Sequence, residues 1–214
     1  MNREIKAIIF DLDGVLCFTD KYHYQAWKAL ADELGIYFDE KINNRLRGVS
    51  RKDSLEIILE RSDKQYTQEE KEQFTEKKNA LYRQLLHDMS PKDASEEVRR
   101  TLLELKQRGY KLAIGSSSKN TQFIINQIDI ASYFDAVADG NDITYSKPDP
   151  EVFLKAAAKL GISPEQCAVV EDADAGIKAA KAGDMLAFAL GGDAQYSDIK
   201  DVELTDFADL LNYL

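Results

Sequence analysis

A run of four apolar residues, Ala7–Phe10, ends directly in one acid, Asp11, and a second acid, Asp13, follows two residues later. The run is too short for a helix and suits a strand buried on both faces, as the strands of parallel sheets are. Asp11 would then stand at the carboxyl end of the strand, where open α/β sheets bind ligands. A carboxylate there can act as a nucleophile or hold a cation, although acids also mark strand ends as turn residues.

Strand-like and helical segments alternate again after residue 93. The segments 110–114, 134–138, 167–170 and 185–190 predict four further strands, of which 134–138 gives the weakest pattern. Helical patterns lie between them, of which three end at or near Gly109, Gly161 and Gly183, and Thr205 is expected to cap a last helix. Five strands alternating with helices predict a doubly wound, parallel five-stranded sheet with right-handed crossovers.

A long helical stretch interrupts this alternation just after the first strand. A stripe from Tyr22 to Leu34 ends at Gly35, and Thr67 with Glu70 has the spacing of a capping box at the start of a long helix. We therefore predict an α/β core of residues 1–16 and 90–214, and an inserted all-helical domain of residues 17–89.

Composition limits the class of ligand. The net charge of −10 and the pI near 4.8 argue against nucleic acid and anionic membranes as partners. Residues 1–6 contain no apolar signal core, and a disulfide between Cys17 and Cys167 is not expected because they lie near opposite ends of the sheet. We expect a cytoplasmic monomer that acts on a small molecule.

Reactive side chains follow the later strands as well. Ser116 follows the second strand, Lys147 comes after the third, and Glu171 and Asp172 end the fourth. Because the carboxyl ends of parallel strands share one edge, these groups should meet the two acids of the first strand. Carboxylates that can hold Mg²⁺, beside an ammonium and a hydroxyl, suit phosphoryl transfer through an aspartyl-phosphate.

The chain resembles the haloacid dehalogenase superfamily in four motifs, which are Asp11-Leu12-Asp13-Gly14-Val15, Ser116, Ser146-Lys147-Pro148 and Glu171-Asp172. The resemblance covers essentially the whole chain and implies a Rossmann-like core with the helical insert as a cap. The segments 22–28, 47–51, 78–79 and 116–120 closely resemble members of the superfamily that isomerise glucose phosphates.

The resemblance implies a role for each motif residue. Asp11 would be the phosphorylated nucleophile and Asp13 the general acid and base. One Mg²⁺ per chain would be held by Asp11, the backbone carbonyl of Asp13 and Asp172, with Glu171 alongside. Substrate contacts would come from Ser116 and Lys147 at the transferring phosphoryl group, from Arg51, Ser118, Lys119 and Asn120 at a second phosphate, and from His23, Lys78 and the loop Gly48-Val49-Ser50 around the sugar. His23 would also help couple cap closure to Asp13.

The implied reaction interconverts β-D-glucose 1-phosphate and β-D-glucose 6-phosphate through β-glucose 1,6-bisphosphate, which also serves as activator. Two separate basic groups, Lys147 in the core and Arg51 with Lys119, support a bisphosphate independently of the family. A sugar-phosphate phosphatase stays open, because discharge of the same aspartyl-phosphate to water gives hydrolysis. A signalling receiver domain is disfavoured by the long helical insert.

Some residues have simpler interpretations when each is taken alone. His23 would be a packed or surface histidine, Arg51 part of a solvated basic cluster, and Lys78 a solvated lysine on a charged helix. Phe18 and Ala173 depart from residue types that are frequent in the superfamily at their positions. These departures concern the fine positioning of the hinge and the metal, and they leave the reaction class unchanged.

Overall fold

The computed structural model describes residues 4–46 and 50–214. The chain forms two compact units, which we name the sheet unit (Met1–Phe18 and Met89–Leu214) and the helical unit (Thr19–Asp88). Gly48 and Val49, which were predicted to contact the sugar, lie outside the described residues.

The sheet unit contains one parallel sheet in the order β3-β2-β1-β4-β5-β6. Its strands are β1 (Ala7–Phe10), β2 (Lys111–Gly115), β3 (Ala136–Ala138), β4 (Cys167–Glu171), β5 (Leu186–Leu190) and β6 (Val202–Leu204). The doubly wound parallel class is confirmed, but the count of five strands was wrong. The sixth strand is a three-residue edge strand with Glu203 at its centre, so it gives no apolar run.

Five helices accompany the sheet in the described part of its unit: α5 (Glu96–Gln107), α6 (Thr121–Gln127), α7 (Glu151–Leu160), α8 (Asp174–Ala182) and α9 (Leu210–Tyr213). Asp206, not Thr205 as predicted, caps the turn that leads into α9, because its carboxylate accepts the Asp209 N–H at 3.2 Å.

Both faces of the sheet are covered, as its continuous apolar strands require. On one face Ala7 and Ile9 of β1 pack with residues of α7 and α8. On the other face the Phe10 ring packs against Phe207, with centroids 5.6 Å apart. The strand ends that carry the reactive residues are thus fixed by a buried core. Cys17 and Cys167 are both buried, free thiols, as expected.

The helical unit comprises α1 (Asp20–Leu34), α2 (Glu40–Asn44), α3 (Arg51–Leu59) and α4 (Gln68–Leu85) in its described part. Gly35 ends α1 in the left-handed conformation, and the capping box of Thr67 and Glu70 opens α4, both as predicted. The five-residue α2 was not predicted; its signal is the N-cap Asp39, whose carboxylate accepts the Ile42 N–H. No helix in the described residues is both long and apolar enough to cross a bilayer.

Candidate active site

The candidate active site lies at the carboxyl ends of β1 and β4, the two central strands. The chain winds to β2 and β3 on one side of this pair and to β5 and β6 on the other. Doubly wound sheets bind ligands at such a switch point. Asp11 follows β1 directly, donates its N–H to the Val170 carbonyl at 3.0 Å, and so lies level with Glu171 at the end of β4.

The ammonium of Lys147 joins the carboxylates of Asp11 and Glu171. Its Nζ lies 2.5 Å from Asp11 Oδ1 and also donates to Glu171 Oε1. The Lys147 side chain is 5% exposed and lies over the Phe153 ring, 4.6 Å from its centroid. Burial opposes the charge, but the two carboxylates raise the pKa of Lys147 above its usual range, so it stays an ammonium.

Three acids at this point could hold a cation. Asp11, Glu171 and Asp172 each offer a carboxylate oxygen, and these oxygens lie within 4.8 Å of one another. Burial, reinforced by the neighbouring carboxylates, raises the pKa of Asp172 to about 8. One ammonium cannot offset three carboxylates, whereas the ammonium and a divalent cation together can. The oxygen donor set fits Mg²⁺, which binds through one or two carboxylates and keeps several waters.

Glu171 differs from the other two acids in its hydrogen bonds. One of its oxygens accepts from Lys147 and the other accepts the Ala173 N–H at 3.0 Å. A Cβ on Gly176 of α8 would overlap the Glu171 side chain, so the helix backbone also confines it. Asp11 and Asp172 are therefore the better cation ligands, and Glu171 anchors Lys147.

The loop after β1 turns back tightly against these acids. The Gly14 N–H bonds to the Cys17 carbonyl at 2.8 Å, with Gly14 at φ 89°. A Cβ on Gly14 would overlap the carboxylate of Asp172, so a larger residue cannot fit without moving that acid. Asp13 is half-buried in this loop, where its backbone carbonyl is the group predicted to face the metal.

Magnesium is expected to stabilise the fold more strongly as the pH rises. Burial raises the pKa of Glu171 to about 7 and that of Asp172 to about 8. The folded, metal-free protein then holds protons that the unfolded chain has lost. Its free energy of unfolding therefore falls from about pH 4 to about pH 8. Mg²⁺ competes with those protons, so the rise in Tm on adding Mg²⁺ should be larger at about pH 8 than at about pH 5. An equal rise at both would contradict a carboxylate site.

The loop after β2 places the predicted serines. Ser116 is 3% exposed, and its Oγ accepts the Ser118 N–H at 3.2 Å. The Ser118 Oγ in turn accepts the Asn120 N–H at 3.2 Å. Asn120 is buried, whereas Lys119 is exposed. These two bonds hold the loop in a turn directly after β2.

Ser117, between two predicted residues, was not predicted as a site residue. Its Oγ is buried and finds no hydrogen-bond partner among the residues that the structure describes. An unsatisfied buried hydroxyl costs about 1–3 kcal/mol, which a ligand oxygen or a water would offset. Ser117 could have been predicted as a site residue because it is the second of three consecutive serines at the end of a strand.

The helical unit brings together two of its predicted site residues. Lys78 on α4 is 2% exposed, so it is not a solvated lysine, and its Nζ lies 2.8 Å from His23 Nδ1 on α1. Burial and the nearby cations Lys78 and Arg51 hold the pKa of His23 well below its usual range. Arg51 is the first residue of α3, and Ser50 caps that helix by accepting the Asp53 N–H.

Comparisons with known proteins agree with this geometry. A family model described as haloacid dehalogenase-like hydrolase matches residues 5–184. A β-phosphoglucomutase of Bacillus subtilis is 42% identical over 189 residues, covering 87% of this chain and 84% of the relative. A phosphorylated carbohydrates phosphatase of Thermotoga maritima is 30% identical, covering 83% and 81%. The crystal structure of a β-phosphoglucomutase from Clostridium difficile superposes with a TM-score of 0.90 at 36% identity, over 98% of this chain and 95% of that one.

Proposed function

Because the chain belongs to the haloacid dehalogenase-like hydrolase family, we propose that it interconverts β-D-glucose 1-phosphate and β-D-glucose 6-phosphate as a β-phosphoglucomutase. The observation that carries this proposal is the buried Asp11–Lys147–Glu171 cluster at the switch point of the sheet. The likeness to two β-phosphoglucomutases over most of the chain supports the choice of an isomerase.

Asp11 is the proposed nucleophile. Its carboxylate forms a bond to phosphorus as the bond from phosphorus to the sugar oxygen breaks, which gives an aspartyl-phosphate. Lys147 holds that carboxylate in one orientation and offsets charge on the phosphoryl oxygens. Mg²⁺ held by Asp11, Asp172 and the Asp13 carbonyl would neutralise the same oxygens when bound. Ser116 would donate a hydrogen bond to them.

Asp13 is the proposed general acid and base. It takes the proton from the C6 hydroxyl as that oxygen attacks the aspartyl-phosphate, which frees Asp11 and forms the 1,6-bisphosphate. In the second transfer Asp11 takes the C1 phosphoryl group, and Asp13 returns the proton to the C1 oxygen. The proton taken at the C6 oxygen is returned at the C1 oxygen, so the cycle balances. The bisphosphate is the intermediate between the two transfers, and it also serves as activator because it can phosphorylate Asp11.

The second phosphate and the sugar need ligands of their own. We assign the phosphate to Arg51 with Ser118, Lys119 and Asn120, and the sugar to Lys78, His23 and the loop 48–50. The partial burial of Arg51 and the burial of Lys78 support functional roles, because long cations are normally left in solvent. The protein is proposed to act as a cytoplasmic monomer.

A sugar-phosphate phosphatase is the second candidate. Two relatives favour it, namely the Thermotoga maritima phosphatase and a fructose-1-phosphate phosphatase of Escherichia coli that is 29% identical to this chain. Both activities form the same aspartyl-phosphate on Asp11. They differ in whether a sugar hydroxyl or water then receives the phosphoryl group.

A product assay separates the two candidates. With β-glucose 1-phosphate, Mg²⁺ and a trace of β-glucose 1,6-bisphosphate, we expect glucose 6-phosphate to exceed free phosphate by on the order of tenfold or more, since a mutase protects its intermediate from water. A coupled dehydrogenase measures the first product and a phosphate-binding dye the second. The α anomer is the matched control. Phosphate release equal to substrate loss would establish the phosphatase instead.

A further inference from the structure

The ammonium of Lys78 lies in a box made by two aromatic rings and an imidazole. We propose that Trp27 and Tyr82 are positioning residues, whose ring faces hold the charged Lys78 where it binds the sugar phosphate. This inference rests on the proposed function, in which Lys78 contacts substrate. We name Trp27, Tyr82 and His23 the Lys78 box.

The geometry of the Lys78 box lies wholly within the helical unit. Lys78 Nζ is 4.7 Å from the centroid of the Trp27 ring and 4.6 Å from that of the Tyr82 ring. These distances are within the range of cation–π attraction. Because α1 supplies Trp27 and His23 and α4 supplies Tyr82, the packing of two helices fixes the place of the cation.

Burial removes the Lys78 ammonium from water, which costs free energy, so its position requires an explanation. An aliphatic side chain at position 78 would pack against the same rings with no loss of hydration, so packing alone favours a residue other than lysine. Lys147, whose side chain is also buried, is held in a different way, because its ammonium forms ion pairs with the carboxylates of Asp11 and Glu171. The three groups of the Lys78 box are neutral, so they hold the ammonium without cancelling its attraction for an anionic substrate.

His23 fits this interpretation through its protonation. An ammonium has only hydrogen atoms to donate, so Nδ1 of His23 must accept, which places the imidazole proton on Nε2. Burial and the adjacent cations keep the pKa of His23 low, so the ring stays neutral. The three groups of the box therefore carry no charge of their own.

The walls of the box are themselves held in place. The Tyr82 ring stacks on His23 with centroids 4.0 Å apart, and its hydroxyl donates to Thr19 Oγ1 at 3.1 Å. Trp27 is 2% exposed and belongs to the core cluster of the helical unit. An ammonium between such walls loses little freedom when substrate arrives.

Tyr82→Leu and Tyr82→Phe form the matched pair that tests the proposal. Tyr82→Leu removes a ring face, whereas Tyr82→Phe keeps the face and removes only the hydroxyl. In Tyr82→Leu we expect KM for β-glucose 1-phosphate to rise about two- to thirtyfold, the factor that corresponds to one cation–π contact. Tyr82→Phe should restore KM to near the wild-type value. Hydrolysis of p-nitrophenyl phosphate, which carries no sugar, should be unchanged in both variants.

A second measurement does not depend on sugar phosphate. In protein labelled with ¹³C-lysine, the Hε protons of Lys78 should be shifted upfield by the two rings, with Lys78→Arg identifying the signal. The shift should persist in Tyr82→Phe and shrink in Tyr82→Leu. If Tyr82→Leu does not fold, Trp27→Phe replaces it, and a smaller ring-current shift with a raised KM is expected.

The two measurements separate this proposal from the proposed function. A Lys78 signal unmoved by loss of the Tyr82 ring would overturn the box, whatever reaction the enzyme catalyses. A moved signal with unchanged KM would also overturn it, because the ammonium would then not serve substrate binding. A wild-type protein that releases only phosphate would refute the mutase, while the NMR comparison would still decide whether the rings position Lys78.

Discussion

Asp11→Asn is expected to lower kcat for β-glucose 1-phosphate by roughly four orders of magnitude or more, since the amide cannot form the aspartyl-phosphate. The fold should persist, because Lys147 keeps Glu171 as a partner and the substitution removes one of three mutually repelling carboxylates. Transfer of label from radioactive β-glucose 1,6-bisphosphate to the protein should disappear together with turnover.

Asp201→Asn is the control for this substitution. The Asp201 carboxylate bonds to Lys181 and to the Ala187 N–H near the amino end of β5, far along the strand from the site. The same change in charge and shape there should leave turnover and label transfer intact. Label that still enters the Asp11→Asn protein would show that another residue is the nucleophile.

Lys147→Met is expected to lower kcat about 10²- to 10³-fold, the usual effect of removing one charged donor from a phosphoryl or oxyanion site. The substitution should not lower the affinity for Mg²⁺ as it lowers kcat. Removing a cation from beside Asp11 leaves the acid cluster more negative, so the apparent affinity for Mg²⁺ should hold or increase above pH 8, where the acids are ionised. Turnover and Mg²⁺ titrations by calorimetry measure the two effects.

Lys159→Met provides the comparison for Lys147→Met. Lys159 donates to the Val137 carbonyl and to Asp142 on the surface of the sheet unit, so its loss should alter neither quantity. If Lys147→Met lost both turnover and Mg²⁺ binding, the substitution would have collapsed the cluster, and no direct role for the ammonium would follow. An unchanged kcat would remove Lys147 from the proposed mechanism.

The strands that carry the site were predictable from the sequence because they are buried on both faces. The four central strands are mostly apolar, with Lys111 at the start of β2 as the one charged residue before the strand ends, and observed and predicted ends differ by no more than one residue. The edge strands were harder. β3 covers only the last three residues of the predicted segment, and β6 was missed because one of its faces is exposed. Helices were predictable where a cap marks an end, as at Gly35 and Thr67.

In the candidate site, too, some features were predictable from the sequence and others were not. The placement of Asp11, Ser116 and Glu171 at one sheet edge follows from parallel strands, which any sequence with this alternation must share. The partner of each side chain does not follow from the sequence. That Glu171 anchors Lys147, and that Lys78 on α4 meets the Trp27 ring on α1, depend on contacts between residues more than twenty positions apart.

The sequence by itself determined the class of fold, the edge of the sheet where the acids meet and the type of chemistry that they suit. Periodicity and caps are local properties, and a parallel sheet aligns its strand ends wherever the chain returns to it. Only the tertiary structure decided which groups surround each buried charge. Lys147 is held by two carboxylates and Lys78 by neutral rings. The interaction energy and the pKa of a charged group depend on its burial and its neighbours, which are set by packing and not by residue type.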